Sequence, residues 1–417
     1  MPPLKYSRFC LCLSAGILAA GLGIAASLAQ ESEPGGNVFQ QPESEAESKG
    51  VNLGPNVNSE YSDFGPVISA DGNFLYFTSD RPGGQGGQDF WVSERKNGVW
   101  QPAQNLGPPV NTPGDEGPDV FSISEDALYF TACNRQDSLG GCDIYLTHKT
   151  KTGWSNPVNL GRPINSEANE VNASIDATGA VLVFASDRKG GRGDYDLYLS
   201  RRVKNPLGFV PLMPSRFPWG APKNLGPAVN TLAWEGVGFL APDGKTLYFS
   251  STGRGGYGKA DIFKSTGDGA NWSEAENMGD VINTPRDEIY FTLPGSGELA
   301  YFSSDMRGGL GREDIYSISL PFLMPKRVVY VIRGLVKDSK TGAGVAAKLS
   351  LTDPQTQKDL AYTESDPDTG LYRLIVCSHE ANLEVKAKKY QPYSEHLAIA
   401  AGTNILILKD IILEPLE

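Results

Sequence analysis

Apolar positions along this chain recur in short alternating runs and not in helical stripes. Segments such as LYFTSD at Leu75 and DFWVS at Asp89 place aromatic or branched residues at nearly every second position. That period is typical of β-strands, and no stretch sustains the 3.6-residue period of an amphipathic helix. Turn signals such as ADGN and APDGK separate the runs. The pattern therefore predicts an all-β protein of many short strands.

Three phrases recur five times between residues 49 and 320. Aromatic strands begin at Leu75, Leu128, Leu182, Leu247 and Ala300. Glycine-rich loops follow them, beginning at Arg81, Arg135, Arg188, Arg254 and Arg307. The phrase Asn-Leu/Met-Gly-x-x-Val/Ile-Asn begins at Asn52, Asn105, Asn159, Asn224 and Asn277, with spacings of 53, 54, 65 and 53 residues. Repeats of about four strands cannot bury both faces alone, so the pattern predicts propeller blades packed around an axis.

The fifth repeat lacks an outer strand of its own, because Ser319 leads directly into LPFLMP. The segment from Glu47 to Leu53 precedes the first repeat and can supply that strand. Closing the ring in this way removes an exposed edge. We therefore expect a five-bladed β-propeller over residues 49–320.

The phrases SADGNFLYFTSDRPGG and APDGKTLYFSSTGRGG resemble the WD40-like repeat called PD40, found in the TolB propeller and related envelope proteins. All five repeats match to some degree, but the turns of the second (SEDALYFTAC) and the fifth (LPGSGELAYFSSD) depart from the pattern. The resemblance implies the fold. It says little about function, since one propeller scaffold hosts many functions.

The last ninety residues have a different pattern. After a linker at 321–327, residues 328–417 contain GLVKDSKTGAGV, SDPDTGLYRLIV and KKYQPY, which resemble the carboxypeptidase regulatory-like domain. That family is a small transthyretin-like β-sandwich and is not itself a peptidase. The domain order resembles envelope proteins of Bacteroidetes-like bacteria, including type IX secretion-associated ones. The resemblance implies envelope partners, with OmpA-like or secretion components as candidates.

The N-terminus reads as an export signal. Lys5 and Arg8 precede an apolar run from Leu13 to Leu28, and small residues follow near Ala29. This predicts a signal peptide over residues 1–29, with an uncleaved anchor as the alternative. Residues 30–48 are predicted to be an acidic flexible tail. We expect a periplasmic or outer-membrane-associated protein.

Composition agrees with many strands and turns, with 48 Gly, 29 Pro, 17 Tyr and 17 Phe. The net charge is −12, which repels phosphate backbones, so we expect no nucleic-acid partner.

An aspartate follows each well-formed glycine loop. The positions are Asp89, Asp196, Asp261 and Asp314. No helix follows the loops, so a phosphate-binding loop is excluded. We expect structural turns in which glycine adopts positive φ, and we keep calcium as the alternative because carboxylates are its ligands.

One acid per repeat stands at the start of the first strand, five residues after the Asn phrase. These acids are Asp63, Glu116, Glu170, Glu235 and Glu288. We expect them near one mouth of the central channel. Either they pair with the repeated arginines or backbone N–H groups and tie blades together, or they form an axial site for a cation or basic ligand.

Two further features are confined to single repeats. Cys133 and Cys142 occur only in the second repeat and predict a disulfide in an oxidising compartment, leaving Cys377 as a buried thiol. A 12-residue insertion lies within the segment 204–220 and carries Phe209, Leu212, Met213 and Phe217. The insertion either folds over the propeller's side or presents a partner-binding patch.

No catalytic constellation is visible in the sequence. The three histidines lack metal-ligand spacing, and no Gly-x-Ser-x-Gly elbow occurs. We expect no enzyme, no metal site and no cofactor. The favoured function is a non-catalytic, exported envelope scaffold for protein partners. The alternative is a lectin-like or glycan-processing propeller.

Overall fold

A computed structural model describes the chain from residue 50 to residue 416 with internal gaps. The described ranges are 50–69, 72–122, 127–150, 152–176, 179–203, 219–241, 244–269, 271–293, 299–319, 330–367, 369–376, 378–399 and 406–416. The signal segment, the acidic tail, the linker and Cys377 lie outside these residues. Every regular element within them is a β-strand.

The repeats contribute 22 strands. Strand β1 (Val51–Asn52) precedes the first repeat. The first repeat contains β2 (Asp63–Ile68), β3 (Phe74–Ser79), β4 (Asp89–Lys96), β5 (Val99–Trp100) and β6 (Gln104–Asn105). The second contains β7 (Asp115–Phe121), β8 (Ala127–Cys133), β9 (Cys142–Thr150), β10 (Gly153–Trp154) and β11 (Val158–Asn159). The third contains β12 (Glu170–Ile175), β13 (Val181–Ser186), β14 (Asp196–Arg201) and β15 (Lys223–Asn224). The fourth contains β16 (Glu235–Leu240), β17 (Thr246–Ser251), β18 (Asp261–Thr266) and β19 (Glu276–Asn277), and the fifth contains β20 (Glu288–Thr292), β21 (Leu299–Ser304) and β22 (Asp314–Ser319).

Each repeat forms one antiparallel sheet, and we number the sheets 1 to 5 in chain order. Three longer strands pair in sequence, as in β2-β3-β4, and a dipeptide then pairs with the third strand. These dipeptides are β6, β11, β15 and β19, and each ends in the asparagine that opens the next Asn phrase. A sheet is thus completed by the chain segment that leads into its neighbour.

Sheet 5 is completed by the N-terminal segment. Strand β1 pairs antiparallel with β22, with Val51 opposite Ser317 and Asn52 opposite Tyr316. The Leu53 N–H adds a hydrogen bond to the Ile315 carbonyl at 3.1 Å. This part of the expected closing segment therefore supplies the missing outer strand.

The five first strands stand in a ring. Strands β2, β7, β12, β16 and β20 contact one another in that order, and β20 also contacts β2. Each of these strands carries a β-bulge where it pairs with the second strand of its sheet. This cyclic arrangement of antiparallel sheets is that of a β-propeller. The all-β, propeller prediction is confirmed at this level.

The apolar cores lie between neighbouring sheets. Phe77 and Trp91 of sheet 1, for example, pack in one cluster with Tyr301 and Ile315 of sheet 5. The alternating strand pattern places one side-chain row on each sheet face, so every sheet contributes to two such cores.

The tryptophans near the end of each of the first four repeats do not lie in the outer strands. Trp100 and Trp154 lie in hairpin extensions of β4 and β9, and Trp219 and Trp272 form single bridges with Arg202 and Gly267. The Asn dipeptides form the outer strand instead.

The C-terminal region contains eight further strands: β23 (Tyr330–Asp338), β24 (Ala347–Thr352), β25 (Asp359–Glu364), β26 (Leu371–Val376), β27 (Glu380–Ala387), β28 (Tyr393–Ala398), β29 (Leu406–Leu408) and β30 (Ile411–Leu413). They form two sheets, β26-β23 with β29 and β30, and β25-β24-β27-β28. One apolar core joins the two sheets, with Tyr330 and Ile332 from the first and Leu349 and Leu383 from the second. Among the described residues, no helix has the length and apolar character needed to cross a membrane.

Candidate functional site

The loop aspartates bind their own loops. Asp261 accepts the Tyr257 N–H at 2.7 Å and the Gly258 N–H at 3.1 Å. Asp314 accepts the Leu310 and Gly311 N–H groups in the same way. Asp143 and Asp196 repeat this arrangement, and Asp89 accepts both N–H groups through one oxygen. The N–H donors of the loop give these carboxylates a turn-capping role.

The Asn phrase holds each dipeptide strand on its sheet through hydrogen bonds. Asn230 accepts the Leu197 N–H at 2.9 Å and donates to the Leu197 carbonyl at 3.0 Å. Its amide also donates to Asn224, whose own amide reaches Asp196, both at 2.9 Å. Equivalent asparagines make the same bonds in sheets 1, 2, 4 and 5. The phrase recurs because each repeat needs these asparagine hydrogen bonds.

The five first-strand acids are completely buried. Glu170 accepts the Ser166 N–H and hydroxyl at 2.6 Å, the Ser186 hydroxyl at 2.8 Å and the Arg188 guanidinium at 3.0 Å. The other four accept the N–H and hydroxyl of the Ser or Thr four residues before them. Asp63 and Glu116 also pair with Arg81 and Arg135. Burial and these bonds engage the acids with Ser, Thr and Arg partners, as in the pairing alternative.

The repeat arginines connect these acids to the preceding Asn phrase. Arg188 donates to the Ile164 carbonyl as well as to Glu170, and its guanidinium lies 5.0 Å from the Phe184 ring centre and 5.1 Å from that of Tyr198. Arg81 and Arg135 stand over two aromatic rings in the same way. A guanidinium held between two rings and a carboxylate is a structural tie.

Burial dominates the ionisation of these acids. It raises the pKa of Glu116 and Glu170, against the lowering effect of their Ser or Thr hydrogen bonds and arginines. It raises the pKa of Glu288 to about 7. Removing a carboxylate from water disfavours its charged form, which accounts for the direction.

The glycine loops lie on one face of the propeller, which we call the loop face. A Cβ on the loop glycine Gly311 would lie 1.8 Å from the Tyr61 carbonyl oxygen of the next repeat. Gly86, Gly140, Gly193 and Gly258 meet the equivalent carbonyl at 1.7–2.1 Å. Glycine is required there because the backbone of the following repeat passes too close for any side chain.

A cavity of about 30 Å³ lies between the middles of the five first strands, bordered by Pro66, Asp119, Asn172, Phe239 and Tyr290 among others. Asp119 is the one charged residue in this described lining. Thr131 donates its hydroxyl to both carboxylate oxygens at 3.0 Å, and burial raises the pKa of Asp119 to about 7. Sequence reasoning missed this residue, since nothing in the repeat marks it.

We expect the protein to lose stability as pH rises from about 5 to 7. Asp119 and Glu288 bind a proton more tightly when folded than when unfolded, so their contribution is full below the unfolded pKa and disappears as pH passes about 7. Across this pH range, the unfolding free energy of Asp119→Asn should fall by about 2 kcal/mol less than that of the wild type. This is smaller than the full effect of the pKa shift, because the carboxyl borders the axial cavity. Urea unfolding at pH 5, 6, 7 and 8 measures the effect. An unchanged slope in the variant would contradict it.

Two clefts open on the loop face. One of about 740 Å³ lies between sheets 1 and 2 and is bordered by Gly87, Asp115 and Asn134. The other, of about 860 Å³, lies between sheets 2 and 3 and is bordered by Gly141, Asp187 and Tyr195. Asp115 and Asn134 border both clefts, so the two are adjacent.

A disulfide forms one wall of the larger cleft. Cys133 and Cys142 are directly opposite on β8 and β9 and are bonded to each other. Cys133 stands where the other repeats have Ser79, Ser186, Ser251 or Ser304, and the last three of these donate to the buried acids. The second repeat thus exchanges one hydrogen bond for a covalent link.

Lysine or arginine side chains bridge two other boundaries between neighbouring sheets on this face. Lys259 Nζ lies 3.2 Å from Asp287 and 3.5 Å from Asp305, between sheets 4 and 5. Arg312 pairs with Asp80 between sheets 5 and 1. Asp287 raises the pKa of Lys259.

Large apolar side chains also stand on the loop face. Leu139, Tyr257 and Leu310 occupy the same position in three glycine loops and are 42%, 49% and 48% exposed. Leu232, just before the first strand of sheet 4, is 81% exposed. Large apolar side chains beside sheets 2, 4 and 5 thus remain exposed on this face.

Phe209, Leu212, Met213 and Phe217 lie outside the described residues, as does Cys377. Within the described residues, no group of three or more His, Cys, Asp or Glu side chains could hold a metal ion.

No protein-family model matches this sequence, and no curated protein matches it either. Solved structures give distant matches. TolB from Acinetobacter baumannii is 14% identical over 63% of this chain and 55% of that chain, with a TM-score of 0.39. A putative TolB from Agrobacterium tumefaciens is 13% identical over 76% and 90%, with a TM-score of 0.37. A GH43 endo-arabinanase from Bacillus licheniformis is 13% identical over 63% and 96%, with a TM-score of 0.42. Similarity this distant assigns no activity to the chain.

Proposed function

We propose that this chain is a non-catalytic, exported cell-envelope protein whose propeller binds a protein partner through its loop face. The observation that carries the proposal is the exposed apolar set Leu139, Leu232, Tyr257 and Leu310. Large apolar side chains that stay exposed on one face are a feature of many protein-binding surfaces. Export follows from the signal segment, and envelope partners follow from the resemblance to PD40 proteins.

We also infer that the five sheets are the complete set of blades of a five-bladed propeller. The cyclic contacts of the first strands and the β1–β22 pairing support this inference. The two C-terminal sheets around one core fit a transthyretin-like β-sandwich. With no catalytic residues assigned, we take the sandwich and the propeller as binding modules.

The role of the loop face can be tested by replacing its four apolar side chains together with serine. We expect the melting temperature to stay within about 2 °C, because these side chains are already largely solvated. Partner capture, measured by cross-linking in the native envelope and quantitative mass spectrometry, should fall at least tenfold. The matched control is the double variant Val99→Ser, Val158→Ser. Val99 lies in the hairpin strand β5 and is 59% exposed, and Val158 lies in the outer dipeptide β11 and is 63% exposed.

Retention of all partners by the loop-face variant would overturn the proposal. An equal loss in the Val99/Val158 control would overturn it as well, because the effect would then not belong to the loop face.

Glycan binding is the second candidate, and one observation favours it. Tyr195 and Trp234 are bridged through their backbones between sheets 3 and 4, and both side chains are partly exposed on the loop face. Aromatic rings next to carboxylates such as Asp187 suit sugar faces and hydroxyls. Saturable quenching of tryptophan fluorescence by oligosaccharides, lost in Trp234→Phe, would support this candidate over the first.

A further inference from the structure

One position in the glycine loops differs systematically between repeats. It follows the loop glycine that no side chain can replace, and we call it the gap position. It is occupied by Gly87, Gly141, Asp194, Lys259 and Arg312 in repeats 1 to 5. A Cβ at Gly87 or Gly141 would meet only a side-chain oxygen, of Asp115 or Asn169, and no backbone. Glycine at these two gap positions is therefore not demanded by the fold in the way that Gly86 or Gly140 is.

In repeats 4 and 5 the gap position supplies a cation to the next sheet. Lys259 reaches Asp287 and Asp305, and Arg312 reaches Asp80. Asp80 and Asp305 are equivalent positions, each directly after the second strand of its sheet. The repeat thus contains an internal template, in which this aspartate receives a cationic side chain from the preceding loop.

Between sheets 2 and 3 the template is incomplete. Asp187 is the equivalent aspartate, and its oxygens accept the Asn169 N–H at 2.7 Å and the Asn169 amide at 2.9 Å. The gap residue is Gly141, and no cation of the described residues pairs with Asp187. The cleft of about 860 Å³ lies where the side chain of Lys259 or Arg312 lies in the other repeats.

Charged residues other than Asp187 also border this cleft, and Asp115 is a second carboxylate among them. Arg162 pairs with Glu167 at 3.1 Å, and Arg188 pairs with buried Glu170. Lys189 is exposed at the rim. Tyr195 adds an aromatic ring to the wall, a surface that also attracts cations.

We propose that the cleft beside Gly141 binds a primary ammonium or guanidinium group on Asp187, and that a lysine or arginine side chain of the protein partner supplies it. The partner's cation would occupy the place that Lys259 and Arg312 occupy in their own repeats. The inference that a protein partner supplies the cation rests on the proposed loop-face function, whereas the cation site itself rests on the repeat geometry.

The site can be tested with a fluorescein-labelled tetralysine peptide at low ionic strength, with fluorescence anisotropy as the readout. The Nε-acetylated peptide has the same shape without the charges and should bind at least fivefold more weakly, as should the parent peptide to Asp187→Asn. Glu94→Gln is the matched control, because it removes one negative charge from the far end of β4. Binding to this control should be unchanged. Equal weakening by both variants would mean diffuse attraction and would overturn the proposal.

A second variant supplies the missing side chain. Gly141→Lys should close the cleft and weaken tetralysine binding at least fivefold without lowering the melting temperature. The Cβ would displace the Asn169 oxygen, which accepts the Cys142 N–H at 3.0 Å. Asp287 is the equivalent of Asn169, and it accepts the Ala260 N–H at 3.0 Å beside Lys259. A long side chain at the gap position is therefore compatible with this hydrogen bond. Full tetralysine binding by a folded Gly141→Lys protein would overturn the proposal.

The two proposals fail separately. If the native partner is captured through the four apolar residues but is indifferent to Asp187→Asn, the cation site is wrong as a partner site and the loop-face function stands. If tetralysine binds through Asp187 while the apolar variant keeps every partner, the loop-face function is wrong and the cation site stands.

Discussion

Deleting residues 30–53 should lower the melting temperature by on the order of 10 °C, whereas deleting residues 30–45 should change it by no more than about 2 °C. The longer deletion removes β1 and its pairing with β22. It also removes the Asn52 amide bond to Asp314 at 2.8 Å and the Leu53 N–H bond to Ile315. Sheet 5 is left with an open edge, and a loss of about 3–5 kcal/mol gives a shift of this size in a propeller of this length.

Differential scanning calorimetry of the two truncated proteins measures this effect. The shorter deletion is the control for removing chain from the N-terminus. Equal melting temperatures would show that β1 does not close the ring.

Replacing Glu170 with alanine should destabilise the protein by about 3–5 kcal/mol. The change leaves the Arg188 guanidinium without its carboxylate and orphans the Ser166 N–H and hydroxyl. Removing one partner of a buried ion pair costs more than the pair contributes, because the remaining charge is left unpaired.

Glu167→Ala is the matched control for this substitution. Glu167 lies three residues earlier and pairs with Arg162, but its side chain is 88% exposed, so its loss should cost less than about 0.5 kcal/mol. Urea unfolding of both variants gives the comparison. Similar losses in the two would contradict the structural role of the buried acid.

Much of the fold can be predicted from the sequence because the repeat occurs five times. Each copy of the Asn phrase and of the aromatic strand supports the others, so weak local signals become a strong one. The closing strand can also be predicted, since the fifth repeat lacks an outer strand and the chain before the first repeat carries the missing phrase. The outer strand's register could not be predicted, because the Asn dipeptides are too short to show a period.

The candidate site could be predicted only in part. The sequence identifies the five acids as a set, but their chemistry depends on whether they face solvent, and that depends on Ser, Thr and Arg partners brought up by folding. Asp119 looks like any polar residue of a strand. Only the convergence of five first strands encloses it and raises its pKa.

By itself, the sequence determined the repeat, the strand content and which residues are equivalent between repeats, because these depend on local pattern and spacing. Only the tertiary structure shows why the first of two adjacent loop glycines is indispensable. Gly140 lies against the Ala168 carbonyl of the next repeat, whereas Gly141 faces only the Asn169 side chain and a cleft. The sequence shows glycine at the first position in all five repeats and varied residues at the second, but the reason lies in the backbone of a neighbouring sheet. Folding brings that backbone within 2.1 Å of where a Cβ would stand at the first position and not at the second.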